Sequence, residues 1–175
     1  MVAKLKPVSS NTPAIVLDTM KPVLQQEATG CGIASVATLA GVTYGHVKDA
    51  AEQFGISAED DQLWSETAYI RTLLCHYGIH APDKEQLFHF WETLPDLALL
   101  AIKWRMERGR SFWHWVVFWR GPRGAVVLDS NRALRIHRRT DFGRMKPKWF
   151  IEISNATATH RNRHTPAVLD RTLLP

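Results

Sequence analysis

The hydrophobic pattern changes period near the middle of the chain. From Ile33 onward, Ile33, Ala34, Val36, Ala37, Leu39 and Ala40 form a small-residue apolar run that reads as a buried helix opening at Gly30-Cys31 and stopping at Gly41. Thr43 is placed to cap a second helix, with Val47, Ala50, Ala51 and Phe54 inward and Gly55 at its end. After the acidic loop from Ser57 to Asp61, the spacing predicts a third helix over Trp64–Tyr77. Its inward residues are Ala68, Ile70, Leu73, Leu74 and Tyr77, and Gly78 stops it. A short helix is expected within Asp83–Leu94, where Phe88, Phe90 and Trp91 supply core and cleft wall.

Beyond that point the period becomes that of strands. Leu97–Trp104 is almost wholly apolar, as a central strand covered on both faces should be, and Arg105–Arg110 turns the chain back. In Phe112–Trp119, alternation puts His114, Val116 and Phe118 on one side and Trp113, Trp115, Val117 and Trp119 on the other. Gly121–Gly124 makes a hairpin turn into Ala125–Asp129, which brings 128 or 129 roughly opposite 114 or 115. Leu134–His137 and Trp149–Ile153 are expected to be further short strands. Helices first and strands second imply an α+β fold, with the helices packed on an antiparallel sheet.

With 175 residues, 45% of them hydrophobic, the chain suits one domain with a real core. We divide it into an extended N-terminal arm (1–20, with the apolar stretch Ala14–Leu17), a domain over 21–154, and a basic tail (155–175) expected to be mobile. The formal charge is +5, with the basic residues concentrated in Arg132–Arg144 and Arg161–Arg171. No nucleic-acid motif accompanies them, so a solvated face is expected and nucleic acid is not expected as a partner. No run approaches the ~20 apolar residues of a membrane span, and the N-terminus lacks a signal-peptide core. Two cysteines without CxxC spacing point to a reducing, cytoplasmic setting. No Cys/His cluster offers a metal site, and His137, His160 and His164 read as surface residues.

The candidate chemistry begins at Gln25–Ala34, where a Gly-punctuated turn runs into the first helix. A thiol on that first turn faces unpaired backbone N–H groups and the positive end of the helix dipole, both of which favour thiolate. Most free cysteines are inert small hydrophobes. Cys31 stands out because His114 and Asp129 supply the other two groups of a thiol acyl-transfer site, a proton carrier and a carboxylate that orients it. Cys75 and His76, with no preceding turn or Gly to expose them, read as structural.

Gln25 ahead of the Cys31-Gly32 pair, the distant His114-Trp115-Val116-Val117 strand and Asp129 closing the next strand resemble the papain-like cysteine peptidases. Within them the chain is most similar to the double-glycine peptidases that trim bacteriocin leader peptides. The resemblance spans Val23–Ile153, with Asp141-Phe142 and Trp149–Ile153 resembling that family's closing helix and strand. It implies Cys31 as nucleophile, His114 as general base and acid, Asp129 as orienting carboxylate and Gln25 as oxyanion-hole donor. Gly30 stands where the family often has an acidic residue, and Ser130 where Pro is common. The implied activity is hydrolysis of a peptide bond in a peptide or protein substrate, after small residues such as Gly-Gly, with no cofactor. The transporter segments that accompany many such peptidases are not seen, so any transport role would need a separate partner. A deamidase or acyltransferase would use the same triad, and a non-catalytic peptide-binding module on the same fold is a further alternative.

Overall fold

The first helix is built of small, mostly apolar residues. In the computed structural model, which describes residues 20–155, α1 (Cys31–Ala40) has nine of its ten residues buried, so it lies inside the molecule rather than on it. Its end is enforced by Gly41, whose φ of 67° is the left-handed conformation that closes a helix without a Cβ penalty. Helix α2 (Tyr44–Gln53) starts as its sequence predicts, because the Thr43 side chain accepts a hydrogen bond from the His46 N–H. Val47, Ala50 and Ala51 point inward, whereas Phe54 is half exposed.

The expected third helix is two elements. A 3-10 turn at Asp61–Trp64, capped by Asp60, precedes α3 (Ala68–His76). Ile70, Leu73 and Leu74 are buried as expected, but Ala68 is exposed and Tyr69 takes the inward place. Short strand β1 (Ile79–His80) follows. The stretch 83–94 forms no α-helix: it gives a two-residue edge strand, β2 (Gln86–Leu87), and a 3-10 turn at Trp91–Thr93. Phe88 and Trp91 pack on the core, and Phe90 is exposed.

The remaining strands are β3 (Leu97–Glu107), β4 (Arg110–Gly121), β5 (Gly124–Leu128), β6 (Arg138–Arg139), β7 (Trp149–Glu152) and β8 (Ser154–Asn155). Six of the eight strands form one antiparallel sheet in the order β2-β7-β3-β4-β5-β6, and β1 pairs with β8. The reversal after β3 is tighter than expected, because strand pairing persists to Glu107↔Arg110 and leaves only Arg108 and Gly109 in the turn. Leu134–His137 is irregular, and the strand lies one step later at β6.

Alternation along β4 divides the core in two. Trp113, Trp115, Val117 and Trp119 face the helices, while Val116 and Phe118 join Leu100, Ile102 and Phe150 on the opposite face, beneath Leu94, Met145 and the rings of Trp91 and Phe142. The fold class expected from the sequence is therefore observed at the level of three helices on an antiparallel α+β sheet. The expected arm, save Met20, and the expected tail beyond Asn155, with His160 and His164, lie outside the described residues. No helix among the described residues is long and apolar enough to cross a membrane.

Candidate active site

Cys31 is the first residue of α1 and is fully buried, with Gly30 at the N-cap. The flanking glycines are required by two tyrosines. A Cβ at Gly30 would collide with the Tyr44 hydroxyl, and one at Gly32 with the Tyr69 hydroxyl. The Tyr44 hydroxyl donates to Glu27, whose other oxygen accepts from Lys48 Nζ at 2.6 Å. Partial burial works against the charge of Glu27, but the Lys48 and Tyr44 hydrogen bonds outweigh it and hold the carboxyl below its ordinary range. Thr29 is buried and its hydroxyl donates to the Ala58 carbonyl. The turn that presents Cys31 is thus anchored to α2 and to the loop after it.

His114 lies on β4 and Asp129 one residue past β5. Leu128 sits opposite Val117, so Asp129 falls across from Val116, two positions from the expected register. Because 114 and 116 share a strand face, the two side chains still meet on the diagonal, and His114 Nε2 lies 2.8 Å from Asp129 Oδ1. Asp129 is fully buried and the His114 side chain is 13% exposed. Burial pushes the Asp129 carboxyl up. The His114 hydrogen bond and charge, the Asn131 N–H (3.0 Å) and Arg139 outweigh it and hold the carboxyl at about 2. Burial likewise opposes the imidazolium, yet Asp129 and the Cys31 sulfur beside the ring raise His114 to about 9. With Nε2 engaged by Asp129, Nδ1 is the ring nitrogen left for the sulfur.

Gln25 reaches the site differently from its expected role. Its side-chain amide donates to the Glu27 carbonyl (3.0 Å) and the Ala28 carbonyl (2.9 Å), while its oxygen accepts from the Ser130 hydroxyl (3.0 Å). Its backbone N–H also donates to the Ser130 carbonyl. Both amide hydrogens are therefore committed to the turn, and Gln25 braces the Cys31 loop against the residue following Asp129.

Two residues escaped the sequence reading. Arg139, grouped there with a solvated basic face, is largely buried and donates from Nη1 to Asp129 Oδ2 at 3.0 Å. The same guanidinium forks onto both oxygens of Asp141, at 3.0 and 2.9 Å. The only sequence cue is the Arg-x-Asp spacing of 139 and 141. His137, read as a surface residue, is half-buried, with Nδ1 3.1 Å from the Asp129 carbonyl oxygen; its own carbonyl accepts from the Asp129 N–H. Both misreadings have one cause, since β6 brings 137–139 against the end of β5 through a pairing no local pattern announces.

Cys75 is free and exposed, contrary to its expected burial, and His76 packs edge-on against the rings of Phe54 and Tyr77. Among the described residues no group of three or more His, Cys, Asp or Glu could hold a metal ion. Searches of protein families, curated proteins and solved structures returned no match to this chain.

Proposed function

We propose that the protein is a thiol-dependent hydrolase of peptide or other amide bonds, with the papain-like arrangement of Cys31, His114 and Asp129 and, by resemblance, a place near the double-glycine peptidases. The observation that carries this reading is the buried His114–Asp129 pair beside a cysteine that opens a helix. The thiolate is the attacking species, and an imidazolium beside Cys31 is the partner that stabilises it. Cys31 Sγ adds to the carbonyl carbon, and the backbone N–H groups at the start of α1 receive the oxyanion. Collapse of that intermediate expels the amine, which takes the proton from His114 and leaves a thioester on Cys31. His114 then removes a proton from water as the water attacks the thioester. The acid is released, and the proton returns to the Cys31–His114 pair. Throughout, Asp129 holds Nε2–H and keeps Nδ1 facing the sulfur. A Gln25 amide hydrogen joins the oxyanion site only by exchanging one of its carbonyl partners at Glu27 or Ala28.

The test is mass spectrometry of the full chain after incubation with an electrophilic peptide analogue and with candidate peptides containing Gly-Gly. An adduct on Cys31 that disappears in His114→Ala, with a new amine and carboxylate in the peptide, is the expected result. Conversion of Gln to Glu with the peptide otherwise intact would reassign the site to deamidation, and acyl transfer to an added amine would reassign it to an acyltransferase. An adduct confined to Cys75, with every peptide unchanged, rules the reading out.

A further inference from the structure

On the face of the sheet away from the helices, a cleft of about 430 Å³ runs along the end of β3. Such a volume is within the range of pockets that take small ligands or a few side chains. Five of its nine lining residues are cationic, Lys103, Arg139, Arg144, Lys146 and Lys148, and none is acidic. Arg139 is neutralised by Asp129 and Asp141, but the other four make no ion pair among the described residues. Unpaired surface cations ordinarily spread apart. Here they converge on one concavity, so an anionic occupant lowers their mutual repulsion.

Two features of β3 show that the convergence is built into the backbone. The β3–β4 register breaks between Ile102 and Arg105, and Lys103 within that break has φ 53°, a left-handed conformation that a lysine seldom adopts. The bulge re-aims Lys103 and Trp104 relative to regular pleating. Lys148 Nζ then lies 4.8 Å from the centre of the Trp104 ring, which stands partly exposed as an apolar wall together with Ile102 and Met145. Ile102 is also the cross-strand partner of His114, and Arg139 is the residue that grips Asp129. The cleft therefore adjoins the candidate triad from its carboxylate side.

From this geometry we infer that the cleft is a specificity subsite for an acidic stretch of the polypeptide substrate, with Asp or Glu side chains on Lys103, Arg144, Lys146 and Lys148 and an apolar neighbour against Trp104. The assignment of the occupant as substrate rests on the hydrolase reading above. A polypeptide fits better than a phosphate ion alone, because the cleft joins charge to an apolar wall. Each ion pair formed here is partly exposed, so removing one cation weakens binding by only ~3-fold, and removing two is needed for a clear reading.

The experiment uses the full chain carrying Cys31→Ala, titrated at low salt with three labelled probes. These are a short peptide alternating Glu and Leu, the same peptide with Gln for Glu, and single-stranded oligothymidylate of matching length. The acidic peptide should bind ~10-fold or more tightly than its Gln counterpart, and Arg144→Gln with Lys146→Gln should remove about 10-fold of that affinity. Both positions are exposed, so the thermal midpoint should not move. Equal binding of the two peptides, no effect of the double variant, or tighter binding of the oligonucleotide that the variant abolishes would each overturn the inference. The two readings fail separately. If the acidic peptide binds through these cations but the intact chain cleaves no amide, the hydrolase reading falls and the anionic subsite stands. If amides are cleaved with the same kcat/KM whatever the flanking charge, by the chain with Cys31 intact and by its Arg144→Gln, Lys146→Gln variant, the subsite falls and the hydrolase stands.

Discussion

The two cysteines occupy opposite ends of two helices, and their surroundings differ in almost every respect that governs thiol chemistry. Cys31 opens α1, is fully buried, has a glycine on each side and lies beside an imidazole tied to a buried carboxylate. Cys75 is the penultimate residue of α3 and is exposed; its neighbour His76 packs on the rings of Phe54 and Tyr77. A helix N-terminus favours an anion, whereas the C-terminal turn disfavours one. Access alone would make Cys75 the reactive thiol, and electrostatics alone would choose Cys31. A thiol with a histidine near it is present in both places, so the partner of the histidine is a further difference beside burial and helix end.

The sharpest way to break this contrast is to remove the thiols one at a time. Cys31→Ala should reduce amide hydrolysis to background, a loss on the order of 10^6-fold as for other triad nucleophiles, while Cys75→Ser leaves it unchanged. Iodoacetamide near pH 6 should label Cys31 faster than Cys75 despite its burial, and His114→Ala should reverse that order. Preferential labelling of Cys75 in the unmodified protein would mean that access wins.

Asp129→Ala comes next. Loss of the group that fixes the imidazole tautomer costs about 10^4-fold in turnover in comparable triads, and it should slow Cys31 alkylation as well. Turnover that survives within tenfold would place Asp129 outside the mechanism. Gln25 separates the oxyanion from the nucleophile. Loss of one oxyanion donor costs ~100–1000-fold in kcat, and a pure transition-state role leaves alkylation nearly intact. Because the amide also braces Glu27 and Ala28, a Gln25→Ala variant that loses turnover and alkylation together would assign it to the loop, and Gln26 would be the next donor to test.

Smaller effects should appear in stability. Arg139→Gln leaves the buried Asp129 with one charged partner fewer and should lower unfolding free energy by about 3 kcal/mol, read by chemical denaturation. Replacement of Cys75 should cost nothing comparable. The pH dependence has a definite sign. His114 is raised from 6.5 to about 9, so its contribution is complete below about pH 6.5 and is lost as pH rises through 9. Asp129 is lowered from 3.8 to about 2, so its contribution is present above pH 4 and is lost as pH falls through 2. Between pH 6 and 10 the protein should therefore lose roughly 2–3 kcal/mol of stability that His114→Ala does not lose. Identical profiles for the two proteins would show that the imidazolium is not held in the folded state.

Local chemistry was readable in the sequence wherever it acts over a few residues. The apolar run after Cys31, the Thr43 cap, the Gly41 stop and the alternation of β4 each follow from helix period, cap chemistry or pleat, and each is observed. That His114 and Asp129 belong together was also legible, because one hairpin joins them and its turn is marked by Gly121 and Gly124. Where two local signals competed, the reading failed. The aromatic segment 83–94 looked helical but pairs with β7, and Leu134–His137 looked extended but lies outside the ladder.

Contacts between residues far apart in the chain were decided only by the tertiary structure. Tyr44 and Tyr69 explain the glycines around Cys31, yet neither could be matched to them without knowing how α2 and α3 pack. The commitment of the Gln25 amide depends on how its own loop folds back, and its tie to Ser130 spans 105 positions. Arg139 looked like one more charge in a basic stretch until β6 laid it against Asp129, where a buried carboxylate and the Asp141 fork select it. Periodicity reports which side of an element is buried, because that depends on one element at a time. Which charge meets which is set by the packing of several elements together, so it is settled only once the chain has folded.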